Sequence, residues 1–153
     1  MNKTINNTLL LIKTQYENHR IKLETNLDEN IGNVLGDEYK LEQVIINLLG
    51  NARDTIESKM NDSDKTSNMG KIKIVTYNKK NKIYIEITDN GTGIPEDKID
   101  KIFDPFYTTK DPEKGTGLGL SIVYGIIHEM NGEISAQSKL NEFATIKIAL
   151  PEV

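Results

Sequence analysis

The sequence predicts an α/β (α+β) domain, and three observations predict it. Apolar residues recur at three- and four-residue spacing in three segments, alternate at two-residue spacing in several shorter ones, and the two kinds of segment are interleaved along the chain. At 153 residues the chain accommodates one domain with one sizeable core and is short for two. Apolar residues at 37% and charged residues at 27%, with three Phe, six Tyr and no Trp, suit a soluble folded domain whose core is aliphatic.

Each element follows from its own pattern. In residues 2–18, Ile5, Leu9, Ile12 and Tyr16 repeat at helical spacing, which predicts an N-terminal helix within residues 1–20. Ile21, Leu23 and Leu27 then alternate with Lys22, Glu24 and Asn26, as in a strand with one wet face. Residues 31–36 read as an extended link, and Asp37 as the N-cap of a second helix over 37–56, with Leu41, Val44, Ile45, Leu48, Leu49, Ala52 and Ile56 as its buried stripe. Gly50 inside that helix costs about 1 kcal/mol relative to alanine, which predicts a close approach to the backbone there.

The polar stretch 61–70 reads as a mobile surface loop. Ile72, Ile74 and Thr76, then Ile83, Ile85 and Ile87, alternate around a turn at 78–81 and predict a β-hairpin. Pro95, Glu96 and Asp97 open a short helix through Ile102 or Phe103, which Asp104-Pro105 stops. Residues 106–114 have no period and are expected to be flexible. A further apolar helix follows, with Ile122, Val123, Ile126, Ile127 and Met130 as its buried set and Asn131-Gly132 as its end. Residues 133–139 and 143–150 alternate around a turn at 140–142 and close the chain as a second hairpin.

Composition excludes several functions. A net charge of -4 argues against unspecific nucleic-acid binding and provides no basic patch for anionic lipid. Without cysteine there are no disulfides, thiolate metal sites or cysteine nucleophiles, and His19 and His128 are too few for a histidine metal cluster. No apolar run reaches the roughly 20 residues that span a bilayer. The segment is therefore expected to be soluble and to make no membrane contact, although a parent protein could be membrane-anchored; a cytoplasmic location and a monomeric isolated domain are expected as well.

Three places carry chemistry. Asn47 and Asn51, four apart, share one face of the second helix and offer either a pair of neutral oxygen ligands for a hard cation or phosphate, or a solvated shoulder. Asp89 ends a strand and is followed by Gly91 and Gly93: a carboxylate able to accept from a purine amine beside backbone that can lie against a flat ligand, or a tight Asx turn. Gly115, Gly117 and Gly119 precede a helix, where backbone N–H groups and the helix terminus can meet a phosphate, or where the chain simply needs a flexible entrance. The triplet lacks the dinucleotide fingerprint's last gap and the Lys-Ser or Lys-Thr of a Walker loop.

The order of these pieces decides between the alternatives. Asn47-Leu48-Leu49-Gly50-Asn51-Ala52, Asp89-Asn90-Gly91-Thr92-Gly93-Ile94-Pro95, Phe103-Asp104-Pro105-Phe106 and Gly115-Thr116-Gly117-Leu118-Gly119-Leu120-Ser121 resemble, in that order, the N box, first glycine box, F box and second glycine box of the ATP-binding catalytic domain of bacterial sensor histidine kinases. Asn51-Ala52-Arg53-Asp54 and Phe106-Tyr107-Thr108-Thr109-Lys110 make the nitrogen-sensor type the nearest flavour. The resemblance covers nearly the whole chain as a single catalytic domain. It implies a Bergerat-type two-layer sandwich, helices on one face of a mixed sheet, holding ATP and Mg2+.

By that resemblance Asn51 coordinates Mg2+, Asn47 supports metal and phosphates, Asp89 reads the adenine amine with Gly91, Gly93 and Ile94 beside it, and Asp54 lies near the ligand. Residues 96–114 are the ATP lid, with Phe106, Lys110 and Lys114 in it. Gly115, Thr116, Gly117, Leu118, Gly119 and Leu120 anchor its hinge over the phosphates, and Thr145 assists at the adenine through water. The implied reaction passes the γ-phosphoryl of ATP to a histidine on a separate dimerisation domain, which this chain lacks, with a response regulator downstream. His128, in a decoy Ile127-His128-Glu129-Met130-Asn131 without the following proline, is not expected to be the phosphoacceptor, nor is His19. The rivals are a hydrolysing ATPase module of the same fold, an anti-sigma-type serine kinase and a nucleotide sensor without catalysis. Against the first, Asn47 stands where related ATPases carry a glutamate, and an amide cannot take a proton.

Overall fold

The computed structural model describes residues 1–62, 69–108 and 116–153. The N-terminal helix α1 (Asn2–Asn18) leads into strand β1 (Ile21–Leu27), and helix α2 (Glu38–Asp62) follows. The hairpin β2 (Gly70–Lys79) and β3 (Lys82–Asp89), helix α3 (Gly119–Glu129), and the hairpin β4 (Glu133–Lys139) and β5 (Phe143–Pro151) complete the chain.

The sheet runs β1-β2-β3-β5-β4; β1 lies parallel to β2 and the remaining pairs are antiparallel, so the sheet is mixed. Strand alternation sends Ile72, Ile74, Ile85, Ile87, Ile148 and Leu150 to one face, where they meet Ile5 and Leu9 of α1, Val44, Ile45, Leu48 and Leu49 of α2, and Val123 and Ile127 of α3. Two layers therefore enclose one aliphatic core, with Tyr16 as its aromatic member. The opposite face is polar, and at its centre Lys147 sits over the stacked rings of Tyr77 and Tyr84.

Helix α2 begins as expected: Asp37 Oδ1 accepts from Tyr39 N at 2.8 Å, satisfying an amide that the first turn leaves open. It ends later than expected. The apolar stripe runs on past Ile56 to Met60, which packs against the core, and Lys59 Nζ donates to the carbonyls of Asn90 and Asn141, so the last turns stay helical to Asp62. Most of the expected loop 61–70 lies outside the described residues.

Between β2 and β3, Lys80 and Asn81 both take positive φ, 52° and 59°, the two-residue turn whose twist matches that of paired strands. Residues Glu96–Lys101 form a 3₁₀ helix rather than an α-helix; none of its residues is buried, so it has no apolar face to hold a longer one. Ile122 is 39% exposed, a correction to the expected buried set of α3. It stands about 100° round the helix from Val123, at the edge of the stripe formed by Val123, Ile126, Ile127 and Met130. Asn131 ends α3 in the left-handed region at φ 54°, and Gly132 N donates back to Ile127 O at 2.8 Å.

Candidate functional site

Helix α2 carries Asn47, Asn51 and Thr55 at successive four-residue steps, so the three side chains form one row. The first residue of α3, Gly119, faces that row: a Cβ added there would lie 3.8 Å from Asn51 Nδ2 and 3.9 Å from Asn47 Oδ1. The N-terminus of α3, with its unpaired amides and partial positive charge, thus abuts two half-buried carboxamides. Among the described residues neither carboxamide makes a hydrogen bond. Gly50 does not have the close neighbour its place in the helix predicts: nothing among the described residues comes within 4 Å of a Cβ built there.

Asp89, at the end of β3, is only 8% exposed. Its Oδ1 accepts from Gly91 N at 2.9 Å and Thr55 Oγ1 at 3.1 Å. Burial pushes the carboxyl up to about 6, against the opposing pull of the Gly91 amide, the Thr55 hydroxyl and the Lys59 charge. At neutral pH it is therefore ionised but close to its titration range.

The loop after Asp89 is tied to the second hairpin. Ile94 N donates to Ser138 Oγ at 2.7 Å and Asn141 N to Thr92 O at 2.6 Å. Lys59 Nζ bridges Asn90 O and Asn141 O at 3.0 and 2.8 Å. Gly93 takes φ +67°, and a side chain there would strike the Lys139 carbonyl. Gly117, at φ +68°, lies against the backbone of Phe106, whose own φ is 64° and whose ring is exposed. Thr116 Oγ1 accepts from Leu118 N at 3.4 Å, Leu118 directly precedes α3, and Leu120 packs against the core.

Thr145 is a correction. It pairs with Thr88, the two hydroxyls 2.8 Å apart, on the sheet face opposite Asp89. The residue opposite Asp89 is Ala144. Asp54 is half-buried and paired with Arg53 at 3.2 Å. Lys110, Lys114 and Gly115 lie outside the described residues. His19 pairs with Glu57 at 2.6 Å, and exposed His128 stacks on Tyr124. Thr55 and Lys59, which belong to none of the sequence motifs, continue the four-residue step from Asn47 and Asn51.

Residues 36–153 match the family described as histidine kinase-, DNA gyrase B- and HSP90-like ATPases. The chain belongs to that family. Sensor kinase CckA of Brucella abortus is 38% identical over 138 residues, covering 87% of this chain and 15% of that protein. Sporulation kinase A of Bacillus subtilis is 34% identical over 152 residues, covering 99% of this chain and 23% of that one. The chain thus spans less than a quarter of either relative. The catalytic domain of histidine kinase ThkA superposes with a TM-score of 0.81 at 31% identity, covering 99% of this chain and 92% of that one. ThkA is also known in complex with the response regulator protein TrrA, where the match has a TM-score of 0.76 at 28% identity and covers 100% of this chain and 40% of that one. The fold is that of the histidine kinase catalytic domain, and the family is one of ATPases, which makes the domain a nucleotide-binding unit. Among its described residues no helix is long and apolar enough to cross a membrane.

Proposed function

We propose that this histidine kinase ATPase domain binds Mg-ATP and donates the γ-phosphoryl group to a histidine of a dimerisation domain, and that a response regulator receives the signal, as ThkA engages TrrA. The observation that carries the reading is the adjacency of Gly119 to Asn47 and Asn51, with Thr55 linking the same helix to Asp89.

Asp89 accepts from the 6-amino group of adenine, with Gly91, Gly93 and Ile94 against the base. Backbone amides of Gly117, Leu118 and Gly119, at the α3 terminus, meet the phosphates. Thr116, Leu120 and Phe106 flank them. Residues 96–114 are the stretch that the resemblance makes the lid; Lys110 and Gly115, which it adds to the phosphate contacts, lie outside the described residues. Asn51, supported by Asn47, holds Mg2+. The donor set fits: carboxamide oxygens are hard neutral ligands of the kind Mg2+ takes, so Asn51 and Asn47 would hold the ion beside the phosphates. The ion offsets phosphate charge. Asp54 lies within reach of the same ligand through its place one turn beyond Asn51.

In the reaction the bond between Pγ and the β,γ-bridging oxygen breaks, a P–N bond to imidazole forms, and ADP leaves with the bridging oxygen. The domain positions and neutralises. With an amide at Asn47 there is no base there to activate water, so the domain alone hydrolyses ATP slowly. An ATP donor and a response-regulator acceptor place the domain in the cytoplasm.

The test offers γ-labelled ATP to the domain with its dimerisation domain in trans. The expected product is an acid-labile, alkali-stable phosphohistidine on the dimerisation domain, with negligible phosphate released by the domain alone. Brisk phosphate release, or an acid-stable phosphoserine, would overturn the reading.

A further inference from the structure

Thr55 belongs to none of the motifs that mark the site, yet it touches the residue on which base recognition depends. Its Oγ1 lies 3.1 Å from Asp89 Oδ1 and 2.9 Å from Ala52 O, and its single proton serves one acceptor at a time. The carboxylate is the stronger acceptor, being charged and nearly buried.

The strand beside Asp89 offers no substitute. Ala144, opposite it in β5, has only a methyl group, and the neighbouring Thr145 is bonded to Thr88 on the other face. Orientation of the carboxylate therefore comes from the helix side and from the Gly91 amide, and both act on Oδ1. Packing is close: a side chain at Gly91 would run into Thr55 Oγ1 and Asp89 Oδ1. Among the described residues Oδ2 makes no hydrogen bond, which leaves it as the oxygen for an incoming N–H.

We propose that Thr55 is the positioning and specificity-determining residue of the base site: by donating to Asp89 Oδ1 it keeps the carboxylate a pure acceptor, in one orientation, and so selects a purine with an amine rather than a carbonyl at C6. The inference rests on the proposed role of Asp89 toward adenine. A protonated Asp89 offers an O–H that a 6-carbonyl can accept. Donation by Thr55 opposes that protonation, as does the charge of Lys59, from the same helix. Without the hydroxyl the carboxyl titrates higher, and the barrier against 6-oxo purines falls.

The test is calorimetry of the whole chain with Mg-ATP and Mg-ITP at several pH values between 6 and 8, for wild type, Thr55→Ala and Thr55→Ser. Alanine is the better helix former, so a loss in Thr55→Ala does not come from a broken helix. Thr55→Ala is expected to weaken ATP binding roughly 10- to 100-fold, the worth of a hydrogen bond to a charged group. It is also expected to shrink the ATP-to-ITP preference and to move the acid limb of the pH profile upward. Thr55→Ser, which keeps the hydroxyl, restores all three. Wild-type affinity and preference in Thr55→Ala, or a Thr55→Ser variant as impaired as Thr55→Ala, overturns the proposal. If wild type binds neither nucleotide, the adenine reading itself fails, a result distinct from wild type binding ATP with no effect at position 55.

Discussion

The buried carboxylate of Asp89 leaves a thermodynamic signature that can be read without any ligand. Burial raises its pKa from 3.8 to about 6 in the folded domain. The folded state therefore holds a proton that the unfolded chain has already released between these values, and the stability tied to Asp89 is fully present below about pH 4 and is lost as pH rises through about 6. A shift of about two units at about 1.4 kcal/mol each gives a loss of about 3 kcal/mol. Other carboxylates titrate in the same range, so the quantity to measure is the difference between wild type and Asp89→Asn, an isosteric variant that cannot ionise. Urea denaturation at half-unit steps from pH 4 to 7.5 should show wild-type stability falling relative to the variant by that amount, with the midpoint of the fall between 4 and 6. Parallel curves would mean that Asp89 is not desolvated and would remove the physical basis for its place in the site. ATP binding has the opposite sign, because the amine of the base needs the ionised form: affinity should fall as pH drops below about 6, approaching tenfold per unit.

Four further outcomes follow from particular residues. Asn51→Ala should abolish Mg-dependent ATP binding while leaving adenosine binding intact, whereas Asp89→Asn should weaken both; calorimetry with and without Mg2+ separates them. Gly93→Ala should cost at least 1–2 kcal/mol in chemical denaturation, since it places a side chain at φ +67° against the Lys139 carbonyl. Ile74→Ala, at a fully buried position under α2, should cost about 2–5 kcal/mol by the same assay. Asn131→Gly should stabilise by a few tenths of a kcal/mol, because the left-handed turn after α3 strains any side chain.

Hydrophobic period made most of the fold legible. Ile5, Leu9, Ile12 and Tyr16 marked α1 over Asn2–Asn18, and the alternating isoleucines marked β2 and β3. What period could not show were features set by contacts distant in sequence. Helix α2 continues past Ile56 because Met60 reaches the core and Lys59 is anchored by loops from two hairpins. Thr145 shows how little separates a right from a wrong assignment in a strand: moving one residue, to Ala144, changes the sheet face. Thr55 was invisible as a motif because it acts through Asp89, and only the fold brings them together. The amide row, the acidic strand end and the glycine entrance to α3 were legible because each is local in sequence.

The central claim is that Asn47, Asn51, Asp89 and the start of α3 serve one nucleotide. Its most direct test is titration of the domain with a magnesium-bound non-hydrolysable ATP analogue while backbone amide resonances are followed. The amides of Asn47, Asn51, Gly91, Gly93, Gly117 and Gly119 are expected to shift along one common saturation curve, while those of Leu10 and Lys22, on α1 and β1, stay still. Separate curves for the amide pair and the Asp89 loop, or shifts confined to α1 and β1, would contradict it.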